Sequence, residues 1–412
     1  MSASFAAASV AEQSSGLITL GLLAGEASGD ILGAGLMMAL KARYKGTIRF
    51  IGVGGPLMQA QGLECMADFD TLSVNGFKEP LLRLPALIRL YRSLAKGFID
   101  EGVDAFVGID FNVFNFLLEG RLKRAGIATV HYVSPSVYAW RRGRTKKVAR
   151  CADKVFCLFP FEPAFYENHE IDARFVGHPM AQDITPDTGS KTAQAVALNQ
   201  LGLDAQAVTL ALLPGSRSSE VALMLRPMLE AAAMLAVGLQ GRGKRLQILI
   251  PCLNQARLNQ IQLISAGMPD LDIQHVPGDA RQCLVASDVA LVKSGTSTLE
   301  AMLVGRPMVV TYRLNTVSYW IARLFVSTPY IAIPNILAGR KLVPELIQDA
   351  ATPEAMCQGL LAQLALHSED SAGPSPYAQI HAVLSGGQSG HGANVSAAIG
   401  VLDLLSERNR LG

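Results

Sequence analysis

Val208-Thr-Leu-Ala-Leu-Leu-Pro-Gly-Ser-Arg-Ser-Ser-Glu220 is the stretch from which the fold is read. Its aliphatic run reads as a buried strand, and Pro214-Gly215 stops it with a turn. The apolar-periodic run Val221 to Leu235 then reads as a helix. Strand, tight glycine turn and helix start together aim free backbone N–H groups at one spot. Arg217 adds a planar fork of donors that matches phosphate oxygens. The stretch is therefore either an anion cradle suited to a diphosphate or a plain strand-to-helix corner with a surface arginine.

The same rhythm runs through the chain. In the first half, Leu17 to Ala24, Ile48 to Val53, Ala105 to Ile109, Thr129 to Val133 and Lys154 to Leu158 read as strands. Ile31 to Arg43 and Phe114 to Ala125 read as helices between them. The second half places strands at 208–213, 246–250, 272–274, 289–292 and 308–311. Strands that alternate with helices predict parallel sheets covered on both faces. The expected architecture is α/β, with two doubly wound Rossmann-like domains facing a central cleft, followed by C-terminal helices. The expected boundaries are a disordered extension at 1–15, a first domain at 16–180 and a polar linker with one helix at 181–206. A second domain follows at 207–352, and helices broken by a flexible Ser385–Gly392 glycine stretch at 353–412. Ligands in such sheets sit beyond the carboxyl ends of the strands.

Bulk properties narrow the class. At 412 residues the chain is too long for one ordinary core. Charged residues make up only 17% and mean hydropathy is +0.28, so part of the surface is expected against a partner or lipid. No uninterrupted run of 18 apolar residues predicts a membrane span, and the first fifteen residues lack the pattern of a signal peptide. A net charge of +2 without a basic, aromatic-laced stripe gives no reason to expect nucleic acid. Six scattered cysteines read as buried thiols of a reducing cytoplasm, and the histidines show no metal-ligand spacing.

Three further loops follow predicted strands. Gly25-Glu26-Ala-Ser28-Gly29-Asp30 combines small residues with two carboxylates at a helix start, which suits either a ligand or N-capping. Asp110 ends an apolar strand and is either a general base for an attacking hydroxyl or the N-cap of the next helix. Ser294-Gly295-Thr296 with Glu300 can hold phosphate and a ribose hydroxyl, or Ser297 and Glu300 can form a capping box. Trp140 to Lys147 joins a ring to five basic residues, and Phe77 to Arg92 is apolar with interspersed arginines. Such stretches suit an anionic lipid surface, or are a solvated charge run and a core helix.

Placed in order, these segments resemble the lipid-A-disaccharide synthases, inverting glycosyltransferases of the GT-B type. The resemblance rests on Ala24-Gly-Glu-Ala-Ser-Gly-Asp30, Gly108-Ile-Asp110, His131-Tyr-Val-Ser-Pro-Ser-Val-Tyr-Ala-Trp-Arg141 and Phe175-Val-Gly-His178. It continues through Leu212-Leu-Pro-Gly-Ser-Arg217, Ser294-Gly-Thr296 with Leu299-Glu300, and Leu337-Ala-Gly-Arg340. It implies a metal-independent, cofactor-free transfer from UDP-2,3-diacylglucosamine to the 6-hydroxyl of 2,3-diacylglucosamine 1-phosphate. The products would be the β-1,6-linked lipid A disaccharide 1-phosphate and UDP. It also implies a homodimer with C-terminal segments exchanged between subunits, peripheral on the cytoplasmic face of a bacterial inner membrane. By the same resemblance, Asp110 is the general base and Arg217 neutralises the leaving UDP. Ser216, Ser294, Gly295 and Thr296 hold the diphosphate, Glu220 lies in the same loop, and Glu300 binds ribose. Asn335 and Arg340 are further nucleotide contacts. Gly25, Glu26, Ser28, Gly29 and Asp30 line the first domain's side, and Trp140, Arg141 and Arg142 face the acceptor or membrane.

The chain departs from the family at one point that bears on chemistry. The family's aspartate motif continues x-Pro-Asp-Phe-Asn, whereas here Phe111-Asn-Val-Phe-Asn115 puts Val113 where the second acid would stand. Two other readings share parts of this pattern. One is a nucleotide-sugar epimerase, which needs the diphosphate loops but no lipid face. The other is a non-catalytic lipid- or nucleotide-binding descendant.

Overall fold

The computed structural model describes residues 16–72, 80–135, 143–278, 280–314, 328–368, 376–387 and 390–409. The expected extension 1–15, the start of the arginine-studded stretch at 77–79, and Trp140, Arg141 and Arg142 lie outside them. The chain forms two compact units: Met1–Gln182 with Val383–Gly412, and Asp183–Ala382.

Unit 1 is built on a seven-stranded sheet in the order β3-β2-β1-β4-β5-β6-β7. The strands are β1 (Leu17–Ala24), β2 (Thr47–Val53), β3 (Leu63–Cys65), β4 (Ala105–Ile109), β5 (Ala128–Tyr132), β6 (Lys154–Cys157) and β7 (Asp172–Phe175). All pairs are parallel. Between them run α1 (Ala27–Arg43), α2 (Pro56–Ala60), α3 (Pro80–Asp100), α4 (Asn112–Arg124) and α5 (Gly143–Cys151). Both faces of the sheet are covered, which is why β1 and β4 are apolar without alternation. Leu20, Leu22 and Val107 pack on α1 on one side, and Leu23 and Phe106 pack against Phe98 of α3 on the other.

A single turn, α6 (Met180–Asp183), leads to unit 2, where Ser190 caps α7 (Lys191–Gln200). The six-stranded sheet of unit 2 has the order β10-β9-β8-β11-β12-β13. Its strands are β8 (Val208–Leu213), β9 (Leu246–Cys252), β10 (Ile273–Pro277), β11 (Val289–Lys293), β12 (Met308–Tyr312) and β13 (Glu345–Ile347). Its further helices are α8 (Ser218–Gln240), α9 (Gln255–Ser265), α10 (Ala280–Ala286), α11 (Thr296–Leu303), α12 (Ile333–Ala338) and α13 (Pro353–Ser368). By length and composition α8 is apolar enough to cross a bilayer, although Arg226, Pro227 and Glu230 interrupt its apolar run. Half of that window is buried, with Val221, Leu225, Met228 and Leu229 in the core of unit 2.

Two last helices, α14 (Pro376–Gly386) and α15 (Ala393–Glu407), complete the chain, which passes from unit 2 back to unit 1 within α14. The apolar face of α15 extends the core beside α1. Arg174 pairs with the buried Asp403 at 2.5 Å and Lys154 with Glu407 at 2.9 Å, so the helix is bound to β6 and β7 by charge as well as by packing. One expectation about the thiols needs correction: Cys65 sits exposed on the edge strand β3, and Cys151 is only partly covered.

Glu162 is the acid that unit 1 buries most usefully for a test. Its carboxylate accepts from the Leu158 and Phe159 N–H groups, each at 3.0 Å. Burial pushes its pKa up to about 8, although those two N–H groups pull it downward. The folded chain therefore holds this proton above the ordinary 4.5, and the stability it contributes is lost as pH rises through about 8. Burial lowers His178 from 6.5 to about 4, so its effect is complete above 6.5 and leaves the higher range to Glu162. Thermal melts from about pH 6.5 to about pH 8 are expected to show the native protein losing stability relative to Glu162→Gln, by up to roughly 1.4 kcal/mol per pH unit, with the difference levelling off above that range. A constant difference between the two proteins would contradict the buried, proton-holding acid.

Candidate active site

Each sheet has a point where strand order reverses, between β1 and β4 in unit 1 and between β8 and β11 in unit 2. Ligands of doubly wound sheets bind at such points, beyond the carboxyl ends of the strands. The candidate residues fall there.

In unit 1, β4 ends at Asp110, and both Asp110 (φ +50°) and Phe111 (φ +45°) are left-handed. Two consecutive non-glycine residues in that region cost about 1–3 kcal/mol each, so neighbours must hold them. Asn115 does so: its Nδ2 donates to the Asp110 carbonyl at 2.8 Å and lies 3.3 Å from the Ile109 carbonyl. One turn further along α4, Glu119 Oε1 lies 2.8 Å from His131 Nδ1, with both side chains wholly buried. Burial raises the Glu119 carboxyl above its ordinary range, opposed by His131. Gly108 makes this docking possible, since a Cβ there would stand 2.2 Å from Glu119 Oε1. Gly25 is required for a similar reason, because a Cβ would meet the Phe111 ring at 2.5 Å. The N-cap position of α4 is Phe111, whose side chain makes no capping bond.

Glu26 occupies the N-cap of α1 without a side-chain capping bond, and with Asp110 it lines a cavity of about 470 Å³. The rest of that cavity is apolar, formed by α3 and α4 with Ile88, Tyr91, Val113 and Leu117 among the side chains. Ser28 is exposed and Gly29 buried beside Ala24. Asp30 corrects the expectation that it lines the site. It is 3% exposed, and its carboxylate accepts from Leu57 N at 3.0 Å and Met58 N at 2.9 Å, capping α2.

In unit 2, Gly215 takes a left-handed φ of +114° that lets the loop after β8 turn into α8. Ser216 and Arg217 are exposed at its tip. Glu220 Oε2 accepts from the backbone N–H of Ser216 at 3.2 Å and of Arg217 at 3.3 Å, closing a capping box with Arg217 as N-cap. On its other oxygen, Lys293 Nζ donates at 3.0 Å and Arg217 approaches to 3.5 Å. Burial alone would raise the Glu220 carboxyl, but Lys293, the Arg217 N–H and the Arg217 charge outweigh it and hold it below the ordinary value. Lys293 also lies 4.8 Å from the centre of the Tyr312 ring. The loops after β8, β11 and β12 thus share one charged cluster.

The alternative Ser297–Glu300 capping box does not form, because α11 starts two residues earlier, with Gly295 as N-cap. Glu300 instead pairs with Arg281 at 3.3 Å, and Thr296 is exposed. Ser294 Oγ donates to the Ile331 carbonyl at 2.9 Å. Asn335 is wholly buried, with Nδ2 on Val343 O and Glu345 and Oδ1 accepting from Leu342 and Val343 N–H. That corrects its expected role as a direct nucleotide contact: it shapes the turn that carries the exposed Arg340. Lys293, Arg281, Glu345 and Asn115 were missed from sequence. The only available signal was that Lys293 and Asn115 lie inside stretches already singled out.

Known proteins resemble this chain along its length. A model of the lipid-A-disaccharide synthetase family matches residues 20–374. The lipid-A-disaccharide synthase of Yersinia pseudotuberculosis serotype I is 43% identical over 390 residues, 94% of this chain and 95% of that protein. That of Pseudomonas aeruginosa strain LESB58 is 44% identical over 391 residues, 95% and 99% of the two chains. Among solved structures, MurG of Acinetobacter baumannii superposes with a TM-score of 0.52 at 14% identity, covering 95% of this chain and 99% of that one. The UDP-N-acetylglucosamine 2-epimerase of Neisseria meningitidis, bound to UDP-GlcNAc, gives 0.58 at 12% identity, over 96% and 100%. Two doubly wound parallel sheets, each with its candidate loops at the reversal of strand order, define a protein of the GT-B class. Within that class, the chain belongs to the lipid-A-disaccharide synthase family.

The cluster around Glu220 is open to direct measurement. Both partners are largely buried, with side-chain exposures of 15% and 16%, so Lys293→Ala removes the nearer of the two cations from a largely buried carboxylate. Chemical denaturation is expected to show a loss of about 1–3 kcal/mol for Lys293→Ala. The double variant Lys293→Ala/Glu220→Ala should cost less than the sum of the single losses. Strictly additive losses would show that the two groups do not interact.

Proposed function

We propose that the protein joins UDP-2,3-diacylglucosamine to 2,3-diacylglucosamine 1-phosphate (lipid X), forming the β-1,6-linked lipid A disaccharide 1-phosphate and UDP in lipopolysaccharide biosynthesis. The observation that carries this reading is Asp110: a carboxylate on a strained, clamped turn, at the edge of an apolar cavity and at the strand-order reversal.

Asp110 takes the proton from the acceptor 6-hydroxyl as that oxygen attacks the anomeric carbon of the donor sugar. The bond from that carbon to the UDP oxygen breaks as the new bond forms on the opposite face, so the configuration inverts. Negative charge then accumulates on the departing diphosphate. Arg217 and the loop hydroxyls and N–H groups at Ser216, Ser294, Gly295 and Thr296 are the proposed partners for it. Glu300 is proposed for the ribose hydroxyls and Arg340 for a further nucleotide contact, with Asn335 holding the turn beneath. No metal or cofactor has a part in the scheme. Glu26, which lines the cavity with Asp110, and the exposed Ser28 are the proposed contacts on the acceptor side.

We further propose that the enzyme works as a homodimer, peripheral on the cytoplasmic face of the inner membrane. The apolar side chains of α3 with the neighbouring exposed Arg89 and Arg92 support contact with an anionic lipid surface, to which Trp140, Arg141 and Arg142 would add. The ion pairs that bind α15 to unit 1 are ones that a partner's helix would make equally well after exchange.

Purified protein given both acylated substrates in detergent micelles is expected to release UDP and form the disaccharide. Asp110→Asn should lower kcat by about 10²–10⁴. Arg217→Ala should lower it by about 10²–10³, with circular dichroism unchanged in both. Well-folded native protein that forms no disaccharide would refute the reaction, and near-native turnover by Asp110→Asn would refute the base.

A further inference from the structure

The cavity beside Asp110 has the size of an ordinary ligand pocket, about 470 Å³ against roughly 300–1,000 Å³. Its walls are unusual for a sugar site. Three large aliphatic side chains around it stay exposed: Ile88 at 42%, Val113 at 73% and Leu117 at 53%. Val113 and Leu117 stand one turn apart on α4 and Ile88 faces them from α3, so one hydrocarbon would cover all three. The polar end is equally selective. Carboxylates accept hydrogen bonds and donate none when ionised, so Glu26 and Asp110 fit a hydroxyl or an amide N–H and repel phosphate. The chemistry that satisfies both ends is a hydrocarbon chain attached close to a hydrogen-bond donor.

We propose that this cavity seats the first carbons of one acyl chain of the acceptor, and that Val113 determines which chains are accepted. This rests on the transfer reaction above, in which the acceptor hydroxyl must reach Asp110. Val113 lies three residues beyond Asp110, in the first turn of α4, so a chain leaving the carboxylate end passes it on the way to Leu117. A second acid at this position would put a charge where the wall is otherwise apolar. Valine at this position extends the seat up to the base and leaves Asp110 as that turn's one carboxylate.

Two measurements test this separately from the reaction. The uncharged fluorescent primary amide of cis-parinaric acid, titrated into the whole protein without donor, is expected to bind saturably and to bind at least about tenfold more weakly to Val113→Asp. In the transfer assay, with donor held constant, Val113→Phe is expected to shift the ratio of kcat/KM between short- and long-chain acceptors by about tenfold toward the short chain. The change should fall in the acceptor KM and leave the donor KM in place. Position 113 is exposed, so both variants should fold. Binding of the amide that depends on Val113 without disaccharide formation would overturn the reaction and keep the seat. Disaccharide formation with unchanged chain-length ranking in Val113→Phe and undiminished amide binding in Val113→Asp would overturn the seat alone.

Discussion

The reversal of strand order at β1/β4 and at β8/β11 is the constraint from which the functional layout follows. Helices after neighbouring strands leave to opposite faces of the sheet there, so the loop ends spread apart and cannot cover one another. In unit 1 this opens the space beside Asp110, but it also removes support from a turn that two left-handed residues already strain. The compensation comes from below. Asn115 and Glu119 lie on one face of α4, and Gly108 has no side chain to keep that face away from β4. The Asn115 amide fixes the turn carbonyls, and the buried Glu119–His131 pair fixes the helix that carries the amide. The strain at the site is thus sustained by polar bonds placed where water cannot compete for them.

Unit 2 solves a different problem at its own reversal. Its loops gather N–H groups, hydroxyls, Lys293 and Arg217, a set that would repel itself without an anion. The protein supplies one internally: the Glu220 carboxylate accepts from two loop N–H groups and from Lys293, and Arg217 stands within 3.5 Å. A helix-capping carboxylate therefore does two jobs, closing the first turn of α8 and keeping the donors convergent. Asn335, Glu345 and Ser294 hold the segment 331–345 in the same manner, with buried hydrogen bonds that leave the exposed Thr296 and Arg340 as its outward groups.

The long buried strands were legible because nothing competes with their apolar runs: β1, β4 and β8 begin and end where the sequence pattern places them. The short edge strands β3, β7 and β13 were not. Three or four residues, mostly half-exposed, carry no periodicity, and only pairing with a finished neighbour makes them strands. The loops were found by their small residues and turn signals, but the partners within them were not. Asp30 caps a helix 27 residues further along the chain, and Glu300 pairs with Arg281 where local spacing offered a box with Ser297 as the alternative. Local spacing suggests a nearby partner, whereas the sheet brings distant loop ends together and offers better ones. Asn335 shows the same limit from the other side, since a polar residue in a matching motif reads as a contact until its burial is known.

The two reversal points are chemically opposite, and that opposition carries the assignment of substrate halves. Around Asp110 and Glu26 the described lining is mainly hydrocarbon, with the two carboxylates and the Tyr91 hydroxyl as its polar side-chain groups. Around Gly215 and Lys293 the outward groups are N–H donors, hydroxyls and cations. A diphosphate brought to the first would meet like charge and an apolar surface that solvates none of its oxygens. An acyl sugar brought to the second would desolvate charged donors without replacing their hydrogen bonds. On the proposed function, each unit would exclude the other's ligand by the same groups that fit its own, and the division of labour would need no specificity beyond the sign of the charge and the wetness of the wall.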